Sequence, residues 1–442
     1  MKSIQLFALL SVLPFVGVMA EDLDYVHPSR LGLSEERLQV IERIVEQAID
    51  RKEIPHAAVL VARHGKIAYE GFFGFADVAD GRILQEDAIF RIASMTKLVT
   101  NVATMMLFEE GAFLMEDPLS NYIPAFKGSQ VAEIDPHTGA LIQVRDAQRP
   151  ITIRDVLTHR AGMSYGALLP ENNYLRKKYE EEGLALLTPF TLDESLESYV
   201  NRFATMPMVA DPGVQIDYGV ATDVLGRLVE IWSDQSLEDF FYQRIFQPLG
   251  MNDTGFFVPE GSKESERIPT LYAWQEGNTF DLDTEDHAFF HAMGPQRLFA
   301  GAVGLLSTPR DYFRFCQMML NQGRYAGHRL LSPKSVALIV SNQTGETPVP
   351  EFLQVYGDQQ GFGVMVRTAT GSPWSGLESL GTLSFAGGFF TRFWIDPRED
   401  MIIMAMTSMF NLSHLHGFTH KVKNAALHAI NVENGRTPRF KE

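Results

Sequence analysis

The placement of β-forming runs limits most strongly what this chain can fold into. Residues 57–62 and 66–73 flank His64-Gly65 and read as a β-hairpin. Strand-like sequence then returns only near the other end, at 362–367, 392–395 and 401–406. Between them the apolar spacing is mostly helical, with clear starts at Thr152-Ile153-Arg154-Asp155 and Thr308-Pro309-Arg310-Asp311, where a capping hydroxyl precedes an early acid. A first helix opens at Leu33-Ser34-Glu35-Glu36-Arg37 and keeps Leu38, Ile41, Ile44, Val45 and Ile49 in register, and a last one runs from about 416 to 430. Strands at both ends around a helical middle imply one mostly antiparallel sheet built from both termini, with an α-helical region inserted. The expected fold is therefore α+β and the expected unit a single domain over 21–442. Its α/β part covers about 21–93 and 300–442, and its mainly helical insert about 94–299. Two stretches, 127–150 and 162–212, look like insertions that either overhang a site or decorate the surface.

The first twenty residues have the pattern of an export signal: Lys2, an apolar run from Leu6 to Val18, and the small-residue end Val18-Met19-Ala20. A core helix and a membrane anchor are the alternatives. Pro14 and Gly17 count against the first, and the shortness of the apolar run against the second. An exported protein, periplasmic or secreted and without stable membrane insertion, is the expectation. A formal charge of −17 disfavours nucleic acid as a partner. Cys316 is the only cysteine, so no internal disulfide, Cys-based zinc site or iron–sulfur cluster can form.

Ser94-Met95-Thr96-Lys97 is the only Ser-x-x-Lys in the chain, and it follows strand-like Ala88-Ile89-Phe90-Arg91-Ile92 and opens the apolar helical run 98–108. A serine at a helix start and a lysine three residues on share one face, so Ser94 and Lys97 should touch. A hydroxyl needs an adjacent base to become a nucleophile, and a lysine serves as that base only after losing its proton. Burial and the positive end of the helix dipole both favour that loss.

The stretch Phe90-Arg91-Ile92-Ala93-Ser94-Met95-Thr96-Lys97 resembles the first active-site motif of class C β-lactamases and their relatives. Further matches follow in order: Leu157-Thr158-His159-Arg160-Ala161-Gly162, Asp211-Pro212-Gly213 and Tyr218-Gly219-Val220-Ala221-Thr222-Asp223-Val224-Leu225-Gly226. Pro248-Leu249-Gly250-Met251, Gly304-Leu305-Leu306-Ser307-Thr308 and Phe385-Ala386-Gly387 continue the series, which Phe393-Trp394-Ile395-Asp396-Pro397 closes. The resemblance spans roughly 30–430 and is to the serine β-lactamase and penicillin-binding-protein superfamily, closest to its family VIII carboxylesterases. It implies the β-lactamase/transpeptidase-like fold, acyl transfer to Ser94, and no metal or organic cofactor.

By the same resemblance Tyr218 shares protons with Lys97. Such a phenol acts as a base only where a cation stabilises its phenolate, so the pair is expected to titrate together. Phe385, Ala386 and Gly387 align with the third motif and line the substrate. The resemblance also implies that the N–H groups of Ser94 and Gly388 form an oxyanion hole, in which losing one donor typically costs about 2.7–4 kcal/mol. Two departures stand out. Val220 occupies the place of an Asn in penicillin-recognising relatives, and Phe385 that of the Lys that binds a substrate carboxylate. Both remove polar anchors and favour neutral esters over β-lactams. The other enzymatic readings are β-lactamase, D-amino-acid peptidase and amide hydrolase; a non-catalytic sensing module is the reading of another class. The partner implied is a small ester or amide.

Gly162-Met163-Ser164-Tyr165-Gly166 matches Gly-x-Ser-x-Gly, the nucleophile elbow of α/β-hydrolases, but the elbow needs a strand before it and a helix after it. Here a helix precedes and Ala167-Leu168-Leu169-Pro170 follows, so Ser164 reads as a decoy. The pair His287 and His291, and the group His414, His416 and His420, lack an acidic ligand in register and read as surface or capping residues. His159 reads as a support of the fold through hydrogen bonding.

Overall fold

The computed structural model describes residues 23–184, 193–275, 279–282, 292–294, 297–368, 376–410 and 416–431. The proposed signal, His287, His291 and His414 lie outside them.

Eight strands form one antiparallel sheet: β1 (His56–Arg63), β2 (Lys66–Asp77), β3 (Arg82–Ile83), β4 (Gln359–Gln360), β5 (Met365–Val366), β6 (Leu383–Ala386), β7 (Arg392–Asp396) and β8 (Met401–Met406). Their order is β4-β5-β6-β7-β8-β1-β2-β3, so the two ends of the chain meet where β1 pairs with β8, Ala58 opposite Met406 and Arg63 opposite Met401. The hairpin turns at His64 and Gly65, both at positive φ (54° and 73°).

The apolar runs of β1 and β8 have a plain cause. Alternate residues enter two separate cores: Ala58, Leu60 and Ala62 face the larger one, while Ala57, Val59 and Val61 face the smaller. A strand covered on both faces has no polar side to show. The smaller core lies under helix α1 (Glu35–Asp50), capped by Ser34, whose hydroxyl accepts from the Arg37 N–H at 3.3 Å, and under the C-terminal helix (His416–His428). The larger core packs the opposite face against the helical body.

At the centre of that body is helix α2 (Thr96–Glu109), with every residue from Thr96 to Leu107 buried. Such a helix is held by packing all round rather than by an amphipathic face. Helix α3 (Ile153–Leu157) starts with a capping box between Thr152 and Asp155, and helix α4 (Ala221–Ser233) starts three residues after Tyr218. Helix α5 (Pro309–Leu320) is capped by Thr308. Among the described residues no helix is long and apolar enough to cross a membrane.

The middle of the chain is less uniformly helical than its spacing suggests. Segment 127–150 is an antiparallel ribbon, Gln130–Ile134 against Leu141–Asp146, turned by Asp135, whose carboxylate accepts from the His137 and Thr138 N–H groups. Tyr272–Gln275 pairs with Thr279–Leu282 and with Met409–Phe410. The run expected as a strand at 362–367 pairs only over Met365–Val366. The ribbon also has a structural task. Arg145 forks onto Asp211 (3.1 and 2.6 Å), and the Gln148 N–H donates to the same carboxylate at 2.9 Å, which fixes the start of the loop that ends at Tyr218.

Candidate active site

Ser94 lies in a single 3-10 turn, Ala93–Met95, that runs directly into α2, and the residue before it, Ala93, sits at φ +42°. A non-glycine residue there is strained and needs surroundings that hold it. They do. The Ile92 N–H donates to the Leu305 carbonyl (3.0 Å), and the Leu305 N–H donates to the Thr96 hydroxyl (3.1 Å).

Lys97 sits one turn further on and is fully buried. Its Nζ lies 3.3 Å from Ser94 Oγ, 3.0 Å from the Ala302 carbonyl and 3.4 Å from the Tyr165 hydroxyl, and 4.6 Å from the centre of the Tyr218 ring. The pairing expected from the Ser-x-x-Lys spacing is therefore present.

Tyr218 is delivered by a loop clamped through its backbone. The Gly213 N–H donates to the Arg160 carbonyl (2.7 Å), the Asp217 N–H to that of His159 (2.7 Å), and the Tyr165 N–H to that of Tyr218 (3.3 Å). His159 thus supports the fold as expected, but through its carbonyl and its left-handed backbone (φ +54°), since its buried Nδ1 has no partner among the described residues. The Tyr218 hydroxyl faces Ser94, which partly offsets the rise that burial imposes on the phenol. Its ring meets Phe385 (6.2 Å between centroids) and the half-exposed Phe352 (5.8 Å, edge-on).

Burial sets the protonation states here. It pushes the Lys97 ammonium well below the ordinary lysine value, against the opposing pull of the Asp223 carboxylate. It pushes the Tyr218 and Tyr165 phenols up, and the His159 imidazole down to about 3 with help from Lys97. The four groups therefore rest as a readily deprotonated amine, two phenols and a neutral imidazole. The expected sharing of protons between the two is thus biased by burial, which favours the neutral amine on Lys97 and the neutral phenol on Tyr218.

Phe385 stands at the end of β6, buried between Tyr218 and Tyr356, and joins Lys97, His159 and Gln360 in lining a small cavity. Ala386 follows it, partly exposed. Gly387 is required by contact, since a Cβ there would strike the Ile92 carbonyl and the Thr391 hydroxyl, and this packing brings the end of β6 beside the Ser94 turn. Gly388 is exposed with open space about it.

Val220 caps α4 from inside the larger core, 1% exposed. Arg392 does not supply the cation that Phe385 lacks. It is buried, stacked between Tyr356 and Trp394, with its guanidinium donating to the Val355 carbonyl (2.6 Å). Ser164 is buried and donates to the Tyr165 carbonyl (3.2 Å); a loop after α3 precedes it and a one-turn Gly166–Leu168 follows, unlike an elbow.

Three contributors escaped the sequence reading. Tyr165 lies inside the decoy motif, and the Ala302 carbonyl has no side-chain signature. Asp223 lies in the first turn of α4, where an acid reads as a partner of the helix dipole. Its position five residues after Tyr218 was the available signal.

The beta-lactamase family model matches residues 41–423. Protein Rv1367c of Mycobacterium tuberculosis is 33% identical over 371 residues, which are 81% of this chain and 87% of that one. Esterase EstB of Burkholderia gladioli is 26% identical over 389 residues, covering 83% and 89%. Among solved structures, EstCE1, described as a hydrolase with promiscuous acyltransferase activity, superposes with a TM-score of 0.74 at 22% identity over 89% of this chain and 99% of that one. A match over most of the length, with the fold and the Ser94 and Lys97 geometry in place, makes this chain a member of the beta-lactamase family.

Proposed function

We propose that this protein is a serine hydrolase that cleaves neutral carboxylic esters through an acyl-enzyme on Ser94. The observation that carries the reading is the fully buried Lys97 amine 3.3 Å from Ser94 Oγ. A buried lysine held near a hydroxyl without a carboxylate in direct contact is poised to accept a proton.

In the forward step Lys97 takes the Ser94 proton as Oγ attacks the ester carbonyl. The N–H groups of Ser94 and Gly388 receive the oxyanion. Tyr218, facing Ser94, hands its proton to the departing alkoxide and is refilled from Lys97, so the leaving group departs as an alcohol and the amine is free again. Water then attacks the acyl-enzyme by the reverse relay, and no metal or organic cofactor takes part. An alcohol entering in place of water would receive the acyl group, the second reading, which the likeness to EstCE1 supports. Phe385 in the cation's place argues against β-lactams and anionic peptide ends. Lys2, the apolar run from Leu6 to Val18 and the small-residue end at Ala20 support export, which N-terminal sequencing of the mature protein tests.

The test is intact-protein mass spectrometry after mixing with a p-nitrophenyl ester or a fluorophosphonate. One adduct is expected, mapped to the peptide that holds Ser94 and missing in Ser94→Ala. Labelling that survives Ser94→Ala refutes the assignment, and a correctly folded wild-type protein that takes no label returns the chain to a binding role.

A further inference from the structure

A second cavity shares no lining residue with the one beside Ser94. It is walled by Arg367, Glu378, Ser384, Arg392, Trp394 and His420, from β6, β7, the C-terminal helix and the segments leading to them. Its charges do not balance. Arg392 and Lys423 are 2% and 1% exposed, and Arg367 is largely covered. Among the described residues one carboxylate, Glu378, serves the group: it takes Lys423 at 2.6 Å and Arg367 at 3.6 Å.

Among the described residues Arg392 reaches no carboxylate. Its amino groups donate to the Val355 carbonyl (2.6 Å) and approach Thr419 Oγ1 and His420 Nδ1 (3.4 Å each). Stacking on Tyr356 and Trp394 offsets part of its charge, yet burial still draws its pKa down to about 10. Three donors in this cavity have no partner among the described residues: Arg392 Nε, Arg367 Nε and the Ser384 hydroxyl. The three cations and one carboxylate leave an excess of two buried positive charges beside a wall of unpaired donors. A water molecule would satisfy the donors without touching the charge.

We propose that this cavity is a binding site for one small halide-like monoanion, held by Arg392, Arg367 and Ser384. The space is about water-sized, which leaves room for one small ion and not for a phosphate ester or a peptide. An anion here neutralises part of the excess charge and joins β6 and β7 to the C-terminal helix.

The test is thermal unfolding of the full-length protein at constant ionic strength, replacing gluconate by bromide. The wild type is expected to gain stability along a saturable curve. Its midpoint rises at least tenfold in bromide for Arg367→Gln and for Ser384→Ala, neither of which removes a residue of the Ser94 site. Should Arg367→Gln fold poorly, Ser384→Ala alone carries the comparison. Anomalous diffraction from bromide-soaked crystals should place the ion within hydrogen-bonding reach of Arg392 Nε. The proposal fails if wild-type stabilisation is absent or linear in bromide, if Ser384→Ala keeps the wild-type midpoint, or if the cavity holds only water.

Discussion

Lys97 and Asp223 are joined through the backbone of one residue: the Ala302 carbonyl accepts from Lys97 Nζ at 3.0 Å, and the Ala302 N–H donates to Asp223 Oδ1 at 2.9 Å. The carboxylate thus raises the Lys97 pKa at a distance, against the burial that lowers it to about 7. Gly301 lets that backbone approach, since a Cβ there would press on the Thr222 carbonyl.

Activity should therefore rise with pH as Lys97 deprotonates, and Asp223→Asn should move that rise to lower pH. The sign follows from the charges: removing an anion removes what favours the ammonium, and Asn keeps an oxygen for the Ala302 N–H. A kcat/KM profile from pH 5 to 9 on a chromogenic ester reads it. A profile that stays in place or moves upward separates Asp223 from the proton balance.

Ser94→Ala should lower ester hydrolysis by at least about 1,000-fold, while Ser164→Ala stays within about tenfold of wild type. Only Ser94 has an amine in reach; the Ser164 hydroxyl is spent on the Tyr165 carbonyl. Circular dichroism confirms that both variants fold, and equal losses in the two would leave Ser94 without its role.

Tyr218→Phe preserves the ring against Phe385 and Phe352 and removes only the proton carrier. The expected result is a fall in kcat of about 100-fold to 10,000-fold with KM little changed. A near-normal kcat would take Tyr218 out of the relay.

What the sequence made visible follows from how each part is held. The runs in β1 and β8 stand out because burial on both faces leaves only apolar side chains, and Ser94 and Lys97 because a helical spacing of three fixes their contact. The 130–146 ribbon was hidden: Ile142 and Val144 point to solvent, so its second strand shows no buried face and rests on backbone pairing. Asp223 was hidden by an ordinary explanation for an acid at a helix start, and Tyr165 by a stronger-looking motif around it. The depth of Val220 depends on how α4 enters the core, which spacing along the chain does not encode.

Substrate choice turns on Phe385. Its ring fills the place between Tyr218 and Tyr356, and Arg392, a cation nearby in the sequence, donates instead to the Val355 carbonyl. A substrate carboxylate brought to this wall would lose water and gain no partner, at a cost of several kcal/mol. Neutral esters avoid that loss. The ratio of specificity constants should therefore favour a short-chain aryl ester over nitrocefin by at least about 100-fold, or about 2.7 kcal/mol of differential transition-state binding. Phe385→Lys should narrow the gap by improving nitrocefin turnover, and Phe385→Leu, which keeps the wall apolar, should not. Val220→Asn should leave the ratio nearly unchanged, since the side chain there is 1% exposed within the larger core. Assays of all four proteins on both substrates at one pH decide the matter, and comparable constants for the two substrates in the wild type would overturn the ester preference while leaving the Ser94 acyl-enzyme standing.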